Sequence, residues 1–201
     1  MLEPRTDLHR FAIEIPHELG TDLETGASVA VDGCCQTVTR IDKTSQSSNL
    51  VWFDAMQETL RVTTLGKLQE KQLVNIERAA RFGQEIGGHE LSGHIDDVAT
   101  VVEVTKSDNN HVITLMLPST LTRYVFNKGY LGVHGASLTV SNMNKEAATF
   151  SVYLIPETLR LTNLGNFTAG DKLNIEIDRR TQIVVDTVNQ YLQETGNTTP
   201  V

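Results

Sequence analysis

Two short stretches carry side chains suited to nucleophilic or proton-transfer chemistry. Cys35 and Thr37 stand two apart in VDGCCQTVT (Val31 to Thr39), and Ser137 and Thr139 do the same in VHGASLTVS (Val133 to Ser141). On a strand alternate side chains share a face, so each pair sets a small nucleophile or hydrogen-bond donor beside a threonine. Gly33 and Gly135 precede the pairs and permit a bulge or the close approach of a ligand. Alone, a Cys-x-Thr on a strand is ordinary core packing; two copies of the pattern suit two equivalent pockets for similar ligands. The block GGHELSGHI (Gly87 to Ile95) gathers two of the six histidines. Its letters approach a zinc-binding HExxH helix, but His89 and His94 are five apart with Gly93 between them. With no third ligand evident, no metal site is expected. Glycines around imidazoles suit tight turns that hold a histidine beside a ligand; for His89 a purely structural role stands equally open. Glu58, Thr59 and Arg61 recur as Glu157, Thr158 and Arg160, a polar loop that binds a ligand or closes the fold. Lys128, before Gly129, is solvated surface or a ligand contact. No glycine-rich fingerprint for cradling nucleotide phosphates is present.

The elements that must position these residues come twice. ETLRVTTLG (Glu58 to Gly66) returns as ETLRLTNLG (Glu157 to Gly165) with seven of nine residues identical. LVNIE (Leu73 to Glu77) returns as KLNIE (Lys172 to Glu176) at the same offset of 99. The upstream pair is offset by 102, and the polar stretch Asp42 to Asn49, read as a hairpin loop, absorbs the difference of three. The chain is therefore one module of about 100 residues used twice, too long a unit for a small-repeat solenoid. Ala27 to Val31, Gln36 to Ile41, Leu50 to Asp54, Val98 to Val104 and His111 to Leu117 are rich in Val, Ile, Leu and Thr, which predicts strands. Several short strands per module, without long amphipathic helices between them, predict a small closed barrel. Pro118 to Tyr124 reads as a short helix. Only the tail is strongly helical: between Thr181 and Gln193, Val184, Val188, Tyr191 and Leu192 share one face. Asp178 is its expected N-cap and Gly196 its stop, with fraying from Glu194 to Val201. The apolar stripe packs on its own barrel or on another copy of the chain.

Bulk properties exclude several classes. With 39% hydrophobic residues the chain can bury a proper core. A net charge of −8, with Lys and Arg scattered, argues against nucleic-acid binding and against an anionic membrane surface. The opening MLEPRTDLHR has no apolar signal core, and no stretch approaches the ~18 apolar residues of a membrane span. A soluble cytoplasmic protein is expected. The two cysteines, Cys34 and Cys35, are neighbours that could bridge only through a strained ring, so reduced thiols are expected.

Six blocks run in order from Leu23 to Val188: LETGASVAVDGCCQTV, ETLRVTTLG, NIERAARFGQEIGGHELSGHI, KGYLGVHGASLTV, LIPETLRLTNLG, and NIEID with TQIVVDTV. Together they resemble the riboflavin synthase family, alpha-chain type. The resemblance implies an all-β fold with a C-terminal α-helix: two tandem six-stranded Greek-key β-barrels at 1–86 and 87–178, then a trimerisation helix and tail at 179–201. It implies a homotrimer, with lumazine synthase as a further partner. The implied enzyme dismutates two molecules of 6,7-dimethyl-8-ribityllumazine. One donates a four-carbon unit to the other, giving riboflavin and 5-amino-6-ribitylamino-pyrimidinedione. No cofactor or metal is implied, because the lumazine ring is itself the electron sink, with an acidic C7 methyl and an electrophilic C7. The protein stacks two substrates and supplies proton shuttles near neutral pH. By the resemblance, Cys35, Ser137 and His94 carry the chemistry. The first pocket would bind substrate through Gln36, Thr37, Asp54, Ala55, Met56, Gln57, Glu58, Thr59, Gly93 and Ile95. The second would use Lys128, Leu138, Thr139, Ile155, Pro156, Glu157 and Thr158, and Asp178 is a further family-position carboxylate.

Three departures from the family pattern carry expectations of their own. The family's opening MFTGIV-like strand is absent, so the first barrel is expected to lack a strand, and the chain to bind lumazine in its second barrel with little or no turnover. His134 stands where many relatives carry Asp, which predicts a switchable base in the second pocket. Gln36 replaces a Leu and is expected to face away from Cys35 and Thr37. The rival reading is a non-catalytic lumazine- or flavin-binding paralogue of the fluorescent lumazine-protein type. Those proteins tend to lose the Cys and the GGHxxSGH block, both of which this chain retains.

Overall fold

A computed structural model describes residues 1–4, 8–43, 45, 47–107 and 110–196. The first module runs β1 (Leu2–Pro4), β2 (Leu8–Pro16), a one-turn helix α1 (His17–Gly20), β3 (Ser28–Val31), β4 (Cys34–Lys43), β5 (Ser48–Met56), α2 (Gln57–Val62) and β6 (Ile76–Arg78). The second runs β7 (Asp97–Ser107), β8 (Asn110–Met116), β9 (Tyr130–Val133), β10 (Ala136–Thr139), β11 (Ser141–Asn144), β12 (Thr149–Leu154), α3 (Pro156–Leu161) and β13 (Lys172–Ile177). A final helix, α4 (Arg179–Glu194), follows. The expected fraying reaches 197–201, which lie outside the described residues.

The hydrogen-bonded orders are β1-β2-β5-β4-β3-β6 and β10-β9-β13-β7-β8-β12-β11. All pairings are antiparallel, and the two modules match strand for strand. The single strand β4 corresponds to β10 plus β11, broken at Val140, so the second sheet curls until its two ends are one chain segment. Period-two alternation builds the cores. Phe11, Ile15, Val29, Val31, Val51 and Phe53 fill the first barrel, and Ile113, Leu115, Phe150, Val152, Leu173 and Ile175 fill the second. Each such side chain contributes about 1.5–3 kcal/mol by leaving water.

The sequence expectations need correction at three places. The repeated ETLR segments are not loops but short helices, each with its Glu clamped by an Arg one turn on: Glu58 by Arg61 and Glu157 by Arg160, both at 2.6 Å. Pro118 to Tyr124 forms a tighter 3-10 turn at Ser119–Tyr124. The first strand is short rather than missing. β1 pairs Leu2 with Phe11, as β7 pairs Val104 with Ile113. It spans three residues where β7 spans eleven. β13 therefore bonds both β9 and β7, whereas among the described residues β6 bonds β3 alone.

A pseudo-twofold network of buried polar groups joins the modules. The Asn75 side-chain amide donates to the His134 carbonyl (2.9 Å), and that of Asn174 donates to the Asp32 carbonyl (2.8 Å). In return, Asn75 Oδ1 accepts from the Asn163 amide and Asn174 Oδ1 from the Thr64 amide, at 2.8 and 2.7 Å. Gly33 and Gly135 lie back to back at this junction. A Cβ on Gly33 would stand 2.6 Å from the Gly135 nitrogen, and both have left-handed φ, of 82° and 93°. Their close approach is to each other, not to a ligand.

Candidate active site

Strand alternation places the two chemical pairs as expected. On β4, Cys34, Gln36 and Val38 point into the barrel, while Cys35 and Thr37 point out. On β10, Leu138 points in and Thr139 out, with Ser137 half-buried on the same outer face. Gln36 is locked inward, its amide donating to the Cys34 sulfur (3.2 Å) and to the Cys35 carbonyl (2.8 Å). Gln36, Ala55 and Leu138 thus have buried side chains. Of these three, a ligand on the outer face meets backbone.

What brings the outer faces together is the segment between the modules. Residues 87–95 run as a strap over both of them. Gly88 packs on Ser137, and the Ser137 hydroxyl accepts from the His89 amide (3.0 Å) and lies 2.6 Å from His89 Nδ1. Five residues on, Gly93 packs on Cys35, and the Cys35 amide donates to the Gly93 carbonyl (2.8 Å). Gly93 has φ of 77°, and a Cβ there would sit 2.5 Å from that of Cys35, so only glycine fits. The strap thus carries one Gly-His pair to each barrel. His89, open in the sequence between structural and ligand-side roles, is bonded to Ser137 and stacks on Tyr130 at 5.3 Å. His94 is exposed, with Nδ1 3.1 Å from the Ser92 hydroxyl.

Two groups that sequence reasoning did not single out hold the strap. Glu176, buried on β13, accepts from the Ser92 amide (2.6 Å), the Ser92 hydroxyl (2.7 Å) and the Gly93 amide (3.0 Å). Arg179 donates to Asp96 (2.9 Å) and to the His94 carbonyl (2.8 Å). The signal for Glu176 was present as the repeated Asn-Ile-Glu; that for Arg179 was not, because nothing local tells which partner a surface arginine finds.

The electrostatics separate the two thiols and the two pockets. Burial pushes the Cys34 thiol up to about 11 against the Gln36 hydrogen bond, so Cys34 is inert at neutral pH. Burial also pushes the His89 imidazole below its ordinary value, opposed by the charges of Asp178 and Glu176. Burial raises the Asp178 carboxyl, but hydrogen bonds from the Thr181 hydroxyl and from the amides of Thr181 and Arg180 outweigh it and hold the group below the usual range. Asp178 caps α4 as expected, and both its oxygens are spent on the cap. The Glu58 and Glu157 carboxyls are likewise held low by their arginines. Asp54 is clamped by both forks of Arg10 at 2.7 Å. Met56, Gln57, Ile155 and Pro156 are exposed at the starts of α2 and α3, with Thr59 and Thr158 half-buried behind them, and Ile95 half-buried below His94. Lys128, exposed, holds a left-handed φ of 66° where the first module has Gly26, and each donates its amide across the hairpin, to Val140 and Val38, at 2.8 Å. A left-handed lysine costs about 1–2 kcal/mol, and such strain concentrates at functional sites.

His134 is not a pocket base. Its Nδ1 accepts the Asn174 amide (3.3 Å) within the module junction, where the side chain is 2% exposed. Among the described residues no group of three or more His, Cys, Asp or Glu could hold a metal ion.

Two tandem β-barrels, each presenting a small hydrogen-bonding residue to a shared glycine-histidine strap, define a class. Residues 2–79 and 92–178 each match the profile of the lumazine binding domain, and the chain belongs to that family. Over 197 residues it is 45% identical to riboflavin synthase of Escherichia coli (strain K12), a match covering 98% of this chain and 89% of the relative. Its backbone superposes on LumP complexed with riboflavin with a TM-score of 0.77 at 26% identity, covering 89% of this chain and 93% of the other. For LumP complexed with 6,7-dimethyl-8-(1'-D-ribityl) lumazine the TM-score is 0.78 at 24% identity, over the same shares of the two chains.

Proposed function

We propose that the chain is a riboflavin synthase that binds two molecules of 6,7-dimethyl-8-ribityllumazine, one by each barrel, and transfers a four-carbon unit between them. The observation that carries the reading is the strap: one segment seats Gly88-His89 on Ser137 and Gly93-His94 on Cys35. Similar ligands held by similar barrels need equivalent walls, and the strap supplies them. In the second pocket, Ser137 and His89, 2.6 Å apart, make a hydroxyl-imidazole relay able to take or return a proton at the substrate methyl. In the first, the half-exposed Cys35 thiol and the His94 ring flank Gly93, suited to addition at C7 and to proton shuttling. The rest of the rate would come from holding two rings in a productive pose. Thr37, Thr139, Lys128 and the exposed starts of α2 and α3 are the groups available to ribityl and pyrimidine oxygens.

The reading extends to a cytoplasmic homotrimer, with lumazine synthase as a further partner. Two free thiols fit a reducing compartment. Ile183, Val184, Val188 and Tyr191 form an exposed apolar stripe on α4, while Val185 packs on the second core, so the stripe is left for another copy.

Mixing the purified protein with the lumazine and following flavin absorbance tests the proposal: turnover is the expected result, against the little or no turnover expected from an absent first strand, because β1 is present and paired with β2. Stoichiometric binding without product would identify a non-catalytic paralogue, and absence of binding would remove both readings.

A further inference from the structure

Glu176 does more than hold the strap in place. Its Oε1 accepts from the Ser92 amide at 2.6 Å and from the Ser92 hydroxyl at 2.7 Å, and its Oε2 accepts from the Gly93 amide at 3.0 Å. The carboxylate is buried on β13 and can only accept, so the single hydroxyl hydrogen of Ser92 points at it. Ser92 Oγ is left with lone pairs alone to offer His94, whose Nδ1 lies 3.1 Å away. A bond between them needs the imidazole hydrogen on Nδ1, and the neutral ring then carries no hydrogen on Nε2. The His94 backbone is fixed as well. Arg179, the first residue of α4, donates to the His94 carbonyl at 2.8 Å and to Asp96 at 2.9 Å. The other histidine of the strap is set the opposite way. Ser137 Oγ accepts from the His89 amide, and among the described residues its own hydrogen finds one acceptor, His89 Nδ1 at 2.6 Å. Ser137 then donates, and the His89 hydrogen is assigned to Nε2, which is buried without a partner among the described residues. One pattern, Gly-His, thus yields two imidazoles of opposite tautomer.

We propose that Ser92 and Glu176 are positioning residues that fix His94 as the Nδ1–H tautomer, leaving the Nε2 lone pair free to take a proton at the first pocket. Carboxylate, hydroxyl and imidazole form one hydrogen-bonded chain, and each bond polarises the next, so Ser92 is a better acceptor for being bonded to Glu176. The His94 ring is otherwise exposed and would turn freely about its own bonds. The two barrels then offer different proton acceptors. The first presents a bare ring nitrogen, and the second a hydroxyl backed by a ring nitrogen. Two identical substrates must play different parts in a transfer between them, and this difference between otherwise repeated pockets distinguishes them. The proton that His94 moves rests on the riboflavin synthase reading; the tautomer does not.

Nitrogen-15 NMR of the histidine-labelled protein, in mildly alkaline buffer where imidazole is neutral, reads each tautomer directly. The His94 and His89 signals are identified by their loss in His94→Gln and His89→Gln. His94 should show Nδ1 protonated and Nε2 bare, and His89 the reverse. Ser92→Ala should return His94 to the Nε2–H form that a free imidazole favours in water. Ser92 is exposed, so Ser92→Thr has room for its methyl, keeps the hydroxyl and should keep the Nδ1–H form. In the lumazine assay Ser92→Ala should lower kcat about tenfold with little change in KM, part of the ~10²- to 10⁴-fold that a placed proton-transfer group supplies. Ser92→Thr should restore most of that loss, which a strap merely worked loose would not show. His94 found as Nε2–H in the wild type, a tautomer unmoved by Ser92→Ala, or an unchanged kcat in that variant would overturn the proposal. The tautomers are read without turnover, so a wild type that makes no flavin would remove the proposed activity and leave the tautomer assignment to be decided by the NMR signals.

Discussion

His134 Nε2 lies 3.1 Å from Asp32 Oδ1, with both side chains buried where the two modules meet. The two residues are pseudo-equivalent: Asp32 Oδ1 accepts the Asn75 amide at 2.8 Å, and His134 Nδ1 accepts the Asn174 amide at 3.3 Å. Because Nδ1 accepts a backbone N–H, the ring's proton is assigned to Nε2, which lies close to the carboxylate without making an aligned hydrogen bond to it. Imidazole against carboxylate avoids the repulsion that two carboxylates would suffer in the same positions.

His134→Asp should therefore destabilise this junction at neutral pH, because it sets a second carboxylate beside Asp32. Repulsion would raise their folded-state pKa above the unfolded ~3.9. Protonation then favours the folded state: the deficit should be smallest in acid and grow as pH rises through the raised value. Urea unfolding of wild type and variant at several pH values checks this, and a deficit that shrank towards neutral pH would contradict it.

Cys35 and Cys34 should differ sharply towards an alkylating agent. With its pKa near 11, Cys34 holds about one thiolate per thousand at pH 8, and it is buried as well. Mass mapping after brief iodoacetamide treatment should find label on Cys35 alone. In turnover, Cys35→Ser should cost more than Cys34→Ser.

The Ser137-His89 relay predicts a pH profile. If neutral His89 accepts the proton, its lowered pKa keeps it competent through neutrality, and kcat/KM should fall only below the ordinary imidazole range near ~6.5. Ser137→Ala should lower kcat by about 10²-fold or more with little change in lumazine binding. His89→Gln should flatten the acid limb; an unchanged limb would remove His89 from the relay.

Val184→Asp combined with Val188→Asp should disrupt self-association while leaving Val185 in its core and the Tyr124-Asp186 hydrogen bond of 2.7 Å intact. Light scattering should then report a lower mass with unchanged circular dichroism. A double variant that kept the wild-type mass would exclude this face of α4 as the assembly element.

Much of this molecule is legible in the order of its residues. The duplication, the shared face of Cys35 and Thr37, the opposite aim of Gln36, and the Asp178 cap all follow from rules acting over a few residues: period-two alternation and the unsatisfied amides of a helix start. The ETLR helices escaped because six-residue helices are too short for periodicity to declare them. What only the tertiary structure decided involves partners far apart in the chain. His89 meets Ser137 across 48 positions, Glu176 holds Gly93 across 83, and Asn174 reaches Asp32 across 142. Such contacts depend on how two barrels pack and how a strap is drawn between them, and no local preference encodes that choice. For the same reason the sequence placed His134 in a pocket, whereas packing turned it to Asp32.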